Sequence, residues 1–289
     1  MQITNRLNLP QPFVAAVSSE YKFKPDHYSV TSLLKGTREI LLERRHSSEI
    51  SQDVSDMIWL ILGTAVHSII ERAQTGEHEI KEGSVRKTVD ERVITGRFDL
   101  YDSNLKKIVD YKTCSVWKVI CGNFEDWERQ LMLYAYLMRS VDMPVEKVEI
   151  VAIMKDHNKN RARYKSNYPT YPVSVITFEV TEKKMQDIES WLKFKIKEIK
   201  NCEQMEDNQL PLCTAEERYN RPKYAVMKAG QKAAVRVFEE EQEMLDWKQE
   251  HDHENYYIEK RNGVDAKCLD YCSAAPFCAY YQMLKGGRI

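Results

Sequence analysis

The stretch Gly96-Arg97-Phe98-Asp99, followed eleven positions after its aspartate by Asp110-Tyr111-Lys112, lies in the part of the chain that decides the fold. Apolar and polar residues alternate around it, with the period of a half-buried strand. The alternation predicts three successive strands, at residues 85–94, 96–102 and 107–113. A turn at Ser103-Asn104 joins the second strand to the third, so hairpin pairing should bring the two motifs together.

Apolar residues recur at helical spacing on both sides of these strands. They predict helices at residues 28–46, 57–74, 125–139 and 183–201, with further strands at 148–154 and 173–180. This order of helices and strands is typical of an α/β domain, which we expect to span residues 1–205. The more polar residues 206–289 predict an appendage, with a hairpin at 224–227 and 233–238 and a charged helix at 239–250.

Composition narrows the classes of protein to consider. The chain has 289 residues, with 43 Lys plus Arg against 44 Asp plus Glu, so it lacks the bulk basicity of a protein that coats nucleic acid. Any contact with DNA must then be local. Two basic clusters are candidates: Lys35, Arg38, Arg44 and Arg45, and Lys155, Lys159, Arg161, Arg163 and Lys165.

The expected environment is an ordinary aqueous one. We expect no apolar run to approach the roughly 18 residues that a membrane span needs, and therefore no membrane contact. The first twelve residues lack the basic start and apolar centre of a secretory signal, so a cytoplasmic location is expected. Seven cysteines, an odd number without an export signal, argue against a disulfide framework and favour metal ligation for some of them.

The two motifs carry the chemistry of a cation site. Asp110 and Lys112 are two apart on one strand, so their side chains project from the same face. Together with Asp99 they offer oxygen ligands suited to Mg²⁺ or Mn²⁺ and a cation beside them. Such a site favours hydrolysis of a phosphodiester, in which Lys112 orients the attacking water or balances charge on the phosphoryl oxygens. The alternative is a weak surface ion pair.

Two helices carry further candidates. His67 follows Gly63 on the helix that precedes the strands, and Glu71 lies one turn further on the same face, so one of the two can join the metal site. Imidazole suits Mn²⁺ better than Mg²⁺. Gln130 and Tyr134 share a face of the helix that follows the strands, where both can hydrogen-bond to a phosphate or to a metal-bound water.

The order Gly-x-x-x-His, Gly-Arg-Phe-Asp, Asp-Tyr-Lys, Gln-x-x-x-Tyr resembles the RecB-like branch of the PD-(D/E)xK nucleases, which includes AddAB-type and CRISPR-associated exonucleases and many phage nucleases. The resemblance covers about residues 28–178. It implies a restriction-endonuclease-like mixed central sheet flanked by helices. It also implies catalytic positions at His67, Asp99, Asp110 and Lys112, with Gln130 and Tyr134 as an accessory motif.

The tail adds a second metal expectation. Cys268, Cys272 and Cys278 resemble the closing cysteine cluster of the iron-sulfur members of that family. A [4Fe-4S] cluster or a tetrahedral Zn²⁺ site needs four thiolates, and both remain open. Family members commonly place the fourth cysteine near the N-terminus, where this chain has none. Cys213 is the best replacement and Cys202 the second, giving a C-terminal four-cysteine metal-binding module.

The function expected from sequence is therefore a metal-dependent deoxyribonuclease, an exonuclease more than an endonuclease, acting in DNA recombination, repair or processing. The alternatives are a catalytically silent nucleic-acid-binding module and a partner-dependent subunit of a recombination or CRISPR-type complex. The sequence leaves open whether the DNA is single- or double-stranded. It also leaves open the oligomeric state.

Overall fold

The computed structural model describes residues 2–18, 23–251 and 253–286, and the chain divides into two compact units, Met1–Glu206 and Asp207–Ile289. The helices of the first unit are α1 (Gln11–Val17), α2 (Val30–Leu33), α3 (Thr37–Arg45), α4 (Ile58–Arg72), α5 (Val116–Cys121), α6 (Glu125–Arg139), α7 (Lys159–Tyr164) and α8 (Glu182–Cys202). Its strands are β1 (Gln2–Thr4), β2 (His27–Ser29), β3 (Ser51–Asp53), β4 (Glu79–Val89), β5 (Arg92–Asp102), β6 (Lys107–Cys114), β7 (Lys147–Met154) and β8 (Val173–Glu179).

The main sheet is mixed, as expected, and helices flank it. Its order is β2-β5-β6-β7-β8, with β4 also paired to β5. The pairs β2–β5 and β6–β7 are parallel, whereas β4–β5, β5–β6 and β7–β8 are antiparallel. β5 pairs with β6 only from Leu100 to Asp102, because β2 occupies the same edge of β5 further along. The two strands therefore separate beyond Leu100, next to Asp99.

The predicted strand at residues 85–94 is wrong. The chain turns at Asp90 and Glu91, whose φ angles are 47° and 68°, so that β4 and β5 form a hairpin with a two-residue turn. Two successive positive φ angles define the turn type that matches the twist of paired strands. This type is usually marked by asparagine and glycine, and Asp-Glu gives no such signal.

The predicted helix at residues 28–46 is also wrong as a single element. Residues 27–29 are strand β2, and the side chain of Ser29 then caps α2 by accepting a hydrogen bond from Ser32 N at 3.1 Å. Gly36 has an extended conformation and precedes α3, so the helix restarts there. The apolar periodicity continues across Gly36, so the sequence pattern did not reveal the break.

Helices α6 and α8 close the core. The predicted helix at 125–139 is confirmed with its bounds, and nine successive residues of α6, from Gln130 to Met138, are buried. It packs against α8, whose Leu192, Ile196 and Ile199 are fully buried. Helix α6 contacts β4, β5, β6 and β7, while α8 packs on α6 and α3. The turns of α6 that carry Gln130 and Tyr134 are thus fixed by core packing.

Helix α4 differs from α6 because none of its residues is buried. With the 3₁₀ turn before it, it forms the stretch Val54–Arg72, which by length and composition alone could cross a membrane, with a mean hydropathy of 1.3. The expectation that no run reaches this length is therefore wrong. One such helix is weak evidence of a membrane span, because core helices of soluble proteins and signal sequences pass the same test.

The second unit contains the helices α9 (Ala215–Arg218), α10 (Glu241–Glu250) and α11 (Ala279–Gly286) and the strands β9 (Lys223–Lys228), β10 (Arg236–Phe238) and β11 (Tyr256–Arg261). The predicted hairpin is confirmed, since β9 and β10 pair antiparallel, and β11 adds a strand that the sequence pattern did not reveal. Val226, Phe238 and Met244 form its small core. A π-helical turn, Lys267–Tyr271, and a 3₁₀ turn, Ala275–Phe277, lead into α11.

Candidate active site

The point where β5 and β6 separate holds Asp99. Cross-strand pairing ends at Leu100 and Val109, and the Asp99 side chain then takes over the next ladder position, because its Oδ2 accepts a hydrogen bond from Tyr111 N at 2.8 Å. The predicted hairpin thus does bring the two motifs together. The carboxylate is thus held through Oδ2 by the backbone of the second motif.

Asp110, Lys112, Gln130 and Tyr134 form one chain of contacts. Lys112 Nζ lies 2.8 Å from Asp110 Oδ2 and donates to Gln130 Oε1 at 3.1 Å. Gln130 Nε2 in turn donates to Tyr134 Oη at 2.9 Å and approaches Asp110 Oδ1 at 3.4 Å. The strand face and the helix face predicted from spacing therefore meet.

Gly96 explains why its motif begins with glycine. A Cβ built at this position would lie 2.8 Å from the ring of Tyr134, closer than real side-chain contacts. The aromatic ring thus packs directly on the backbone of β5. A larger residue at Gly96 would push Tyr134, and through it Gln130, away from Asp110.

His67, on α4, reaches the site from the face of the sheet opposite to α6. Its Nδ1 lies 3.3 Å from Asp99 Oδ1, and its ring meets that of Tyr111 edge-on, 6.4 Å between centroids. Tyr111 projects to the face opposite Asp110 and Lys112, because successive strand residues alternate. The hydrogen bond with Asp99 raises the pKa of His67 above 6.5, against the opposing effect of burial.

Asp110 is buried, and the burial raises its pKa. The charge of Lys112 acts in the opposite direction, while nearby Asp99 adds to the rise. Its Oδ2 lies 2.8 Å from Lys112 Nζ, and this ion pair offsets part of the cost of burying the carboxylate. The imidazole of His67 and the carboxylate of Asp99 suit a divalent cation such as Mg²⁺ or Mn²⁺. Asp110 interacts with both through its charge, but it is outside the group of ligand atoms that lie within 4.8 Å of one another.

Glu82 is the site residue that sequence reasoning missed. Ligand atoms of His67, Glu82 and Asp99 all lie within 4.8 Å of one another. The φ angle of Glu82 is 52°, a conformation that costs a residue other than glycine about 1–3 kcal/mol. Glu82 Oε2 lies 2.6 Å from Arg97 Nε. A surface ion pair contributes only about 0–1 kcal/mol, which does not offset that cost.

Glu71, the alternative to His67 on α4, stands outside this group. Its Oε1 lies 3.5 Å from Arg97, and 47% of its side chain is exposed against 16% for Glu82. Arg97 therefore contacts both glutamates, but only Glu82 also approaches His67 and Asp99. Of the two candidates on α4, His67 is the one beside the carboxylates.

The two basic clusters differ in their exposure and contacts. In the first, Arg38 is buried, Lys35 pairs with Glu43 at 2.7 Å, and Arg45 donates to the Glu203 carbonyl at 3.0 Å, so most of it serves internal contacts. All five members of the second cluster are exposed, on α7 and the residues beside it. This second cluster remains a candidate surface for a polyanion.

Among the described residues, the four candidate cysteines do not form a group of ligand atoms close enough to share a metal, so the expected four-cysteine module is not seen. Arg218 does link the chain segments that carry three of them. Its Nε donates to the carbonyl of Cys213 at 3.1 Å, and its Nη1 contacts Asp265, three residues before Cys268. The same nitrogen donates to Tyr280 Oη at 2.9 Å, two residues after Cys278. Cys272 lies on the same unit, whereas Cys202 belongs to the first unit, where it is buried on α8.

No protein-family model and no curated protein matches the sequence. Among solved structures, SSO0001 has a TM-score of 0.45 and 18% identity, covering 62% of this chain and 79% of its own. LHK-Exo, an alkaline exonuclease from Laribacter hongkongensis, in complex with dAMP has a TM-score of 0.39 and 14% identity, covering 65% and 91%. A phage-related exonuclease from Haemophilus somnus 129PT has 0.31 and 14%, covering 58% and 73%. TM-scores this low do not establish a shared fold, so the activities of those proteins are not transferred to this chain.

Proposed function

We propose that this protein is a metal-dependent nuclease that hydrolyses phosphodiester bonds of DNA. The observation that supports it most is the meeting of His67 and Asp99 with the buried Asp110 and with Lys112, at the gap between two strands. Two carboxylates, an imidazole and an ammonium in one place form a donor set for a divalent cation with a positive group beside it. This combination is suited to the hydrolysis of a phosphate ester.

Each residue has a distinct role in the proposed reaction. His67, Asp99 and Asp110 would hold the cation, which when bound polarises the phosphate and lowers the pKa of the attacking water. Lys112 is placed to orient that water or to balance charge on the phosphoryl oxygens. Gln130 accepts a hydrogen bond from Lys112 Nζ and so aims it.

The Tyr134 hydroxyl holds Gln130 in turn, 2.9 Å from its Nε2. Burial raises the pKa of Tyr134, so this hydroxyl stays protonated and neutral at physiological pH. The pair therefore acts as a fixed support on α6 and not as a proton donor or acceptor during the reaction.

The proposed substrate is DNA, contacted through the exposed basic cluster Lys155, Lys159, Arg161, Arg163 and Lys165. Lys155 Nζ also lies 3.4 Å from the centroid of the exposed Trp59 ring, at the start of the helix that carries His67. The phosphate groups of the DNA backbone would bind the lysine and arginine side chains of this cluster. We propose further that cleavage is exonucleolytic.

Cleavage of labelled DNA, single- and double-stranded, linear and circular, tests the function with Mg²⁺, Mn²⁺ or EDTA. We expect Lys112→Ala to lower the rate by about 10²–10³-fold, the usual loss for one charge-stabilising group. Lys107→Ala is the matched control, because Lys107 lies on the same strand, is 21% exposed against 22% for Lys112, and pairs with a carboxylate at 3.1 Å. It should cleave at the wild-type rate.

Circular substrates separate the two modes of cutting, since an exonuclease leaves them intact. If folded wild-type protein that binds Mn²⁺ cleaves no substrate, the nuclease proposal for the isolated chain is wrong. The remaining readings would be a silent DNA-binding module and a partner-dependent subunit of a recombination or CRISPR-type complex. Addition of cell extract would then distinguish these two.

We also propose a structural metal in the second unit, held by Cys213, Cys268, Cys272 and Cys278. The contacts of Arg218 connect the segments that carry Cys213, Cys268 and Cys278, and the thiols would have to move closer together to share one metal. Either a [4Fe-4S] cluster or Zn²⁺ would fit four thiolates. Because the small core of this unit includes few buried side chains, a metal would add much of its folding free energy.

Metal analysis of purified protein tests this second site. We expect Cys272→Ala to lose the bound iron or zinc and to lower the melting temperature. Cys121→Ala, an exposed cysteine of the first unit, is the control and should keep both. An unchanged metal content in Cys272→Ala would show that this cysteine is not a ligand.

A further inference from the structure

Glu82 lies directly opposite Asp99 in the β4–β5 hairpin. The register pairs Lys81 with Leu100 and Gly83 with Phe98, which leaves Glu82 and Asp99 facing each other between them. Side chains opposite each other on neighbouring strands lie close together, and two like charges there destabilise the pair. The hairpin therefore keeps two carboxylates side by side, an arrangement that needs a positive partner.

The position of Glu82 is fixed by its neighbours. A Cβ at Gly83 would lie 2.1 Å from the Phe98 ring, so that this buried ring rests directly on the backbone of β4 next to Glu82. Any slip of the strand would place a side chain against that ring. The unfavourable φ of Glu82 is thus held by packing, and backbone strain of this kind concentrates at functional sites.

Arg97 engages only part of the Glu82 carboxylate. Its Nε lies 2.6 Å from Oε2, and a carboxylate has acceptor positions on both oxygens. The group that Glu82 forms with His67 and Asp99 has all its ligand atoms within 4.8 Å. Asp110 is not one of the three, since its carboxylate lies beside Lys112 and Gln130.

We propose that Glu82 is a ligand of the divalent cation, in addition to His67 and Asp99. This inference rests on the proposed nuclease site and enlarges its ligand set to one imidazole and three carboxylates with Asp110. A bound cation would neutralise charge where the two carboxylates of Glu82 and Asp99 meet. The set favours Mn²⁺ over Mg²⁺, because the imidazole is a better ligand for Mn²⁺.

Calorimetric titration of the full chain with Mn²⁺ and with Mg²⁺ tests the role of Glu82 without measuring cleavage. The main variant is Glu82→Asn, which removes the carboxylate and keeps the fold, because asparagine tolerates a positive φ better than glutamate. We expect its Mn²⁺ affinity to fall by about tenfold to a hundredfold, with an unchanged or higher melting temperature. Glu82→Asp, which restores a shorter carboxylate, should recover part of the loss.

Glu71→Gln is the matched control. Glu71 also contacts Arg97 but lies outside the ligand group, so its Mn²⁺ affinity should stay within twofold of wild type. Asp99→Asn distinguishes the two levels of the proposal. If Asp99→Asn loses Mn²⁺ and Glu82→Asn binds like wild type, Glu82 is not a ligand and the proposed site survives. If Asp99→Asn also binds like wild type, the proposed metal site itself is wrong.

Discussion

Helices α4 and α6 are each 15 residues long and deliver site residues to opposite faces of strand β6, yet their surroundings differ sharply. Nine successive residues of α6 are buried, including Gln130 and Tyr134. None of α4 is buried, although it carries His67. Helix α6 is anchored by the core, and helix α4 lies on the surface of the unit.

This difference divides the candidate site into a fixed half and an adaptable half. Gln130 and Lys112 are positioned by packing that folding itself requires, so they should hold their places without a cation. His67 depends on its contacts with Asp99 and Tyr111, and the local stability of a segment follows its buried contacts. We therefore expect cation binding to order α4 and to leave α6 unchanged.

The largest expected effect tests whether the two helices differ in their share of stability. Leu137→Ala on α6 removes a fully buried side chain and should lower the free energy of unfolding by about 2–5 kcal/mol. Ile69→Ala on α4 removes one that is 64% exposed and should change it by less than about 0.5 kcal/mol. Urea denaturation measures both. Similar losses for the two variants would contradict the comparison.

Hydrogen exchange measures the local stability of α4 and of α6 separately. In metal-free protein, the amides of α4 should exchange much faster than those of α6. Mn²⁺ at 100 times its dissociation constant should slow exchange in α4 by about 100-fold, equivalent to about 2.7 kcal/mol. His67→Ala should abolish this slowing in α4. If α4 exchanges equally fast with and without Mn²⁺ in wild type, His67 does not bind the cation.

The pH dependence of Mn²⁺ binding should come from the α4 half. Asp99 raises the pKa of His67 above 6.5, and an imidazolium cannot ligate a metal. Affinity should therefore fall as pH drops through that pKa, by about tenfold or 1.4 kcal/mol per unit below it, and level off above it. In metal-free protein the sign reverses, because the His67–Asp99 contact stabilises below pH 6.5 and is lost as pH rises through the raised pKa.

Calorimetry at several pH values measures the metal affinity, with His67→Ala as the control. That variant should bind weakly and lose the steep dependence. Helix α6 itself adds no titration in this range, because Gln130 does not ionise and burial raises the pKa of Tyr134 further from it. Asp110, whose pKa burial also raises, is the second group whose protonation would weaken binding. An equally steep profile in His67→Ala would assign the proton to another group.

The smallest effect concerns the fixed half alone. Tyr134→Phe keeps the ring against Gly96 but removes the hydroxyl that accepts from Gln130 at 2.9 Å. We expect a loss of about 1 kcal/mol in the free energy of unfolding, with Mn²⁺ affinity unchanged. Thermal denaturation and titration of the variant measure the two quantities. A marked loss of Mn²⁺ affinity would mean that α6 also positions the cation ligands.

Periodicity predicted an element correctly where the apolar pattern begins and ends at the same residues as the element. The helix at 125–139 has both, and the side chains of Gln130 and Tyr134 meet because residues four apart share a face. The β5–β6 hairpin followed from its turn in the same way. The predictions of a helix at 28–46 and of a strand at 85–94 were wrong. Gly36 and the Asp90-Glu91 turn interrupt these elements, although the apolar pattern continues across both.

Sequence spacing by itself determined which residues are neighbours within one element or across a recognisable turn, because the repeats of strand and helix are fixed by backbone geometry. It therefore brought Asp99 near Asp110 and Lys112. Only the tertiary structure decided that His67 and Gln130 approach from opposite faces and that Glu82 joins Asp99. Those contacts depend on strand register and on packing between distant segments, and the register of β4 was hidden with the turn that sets it.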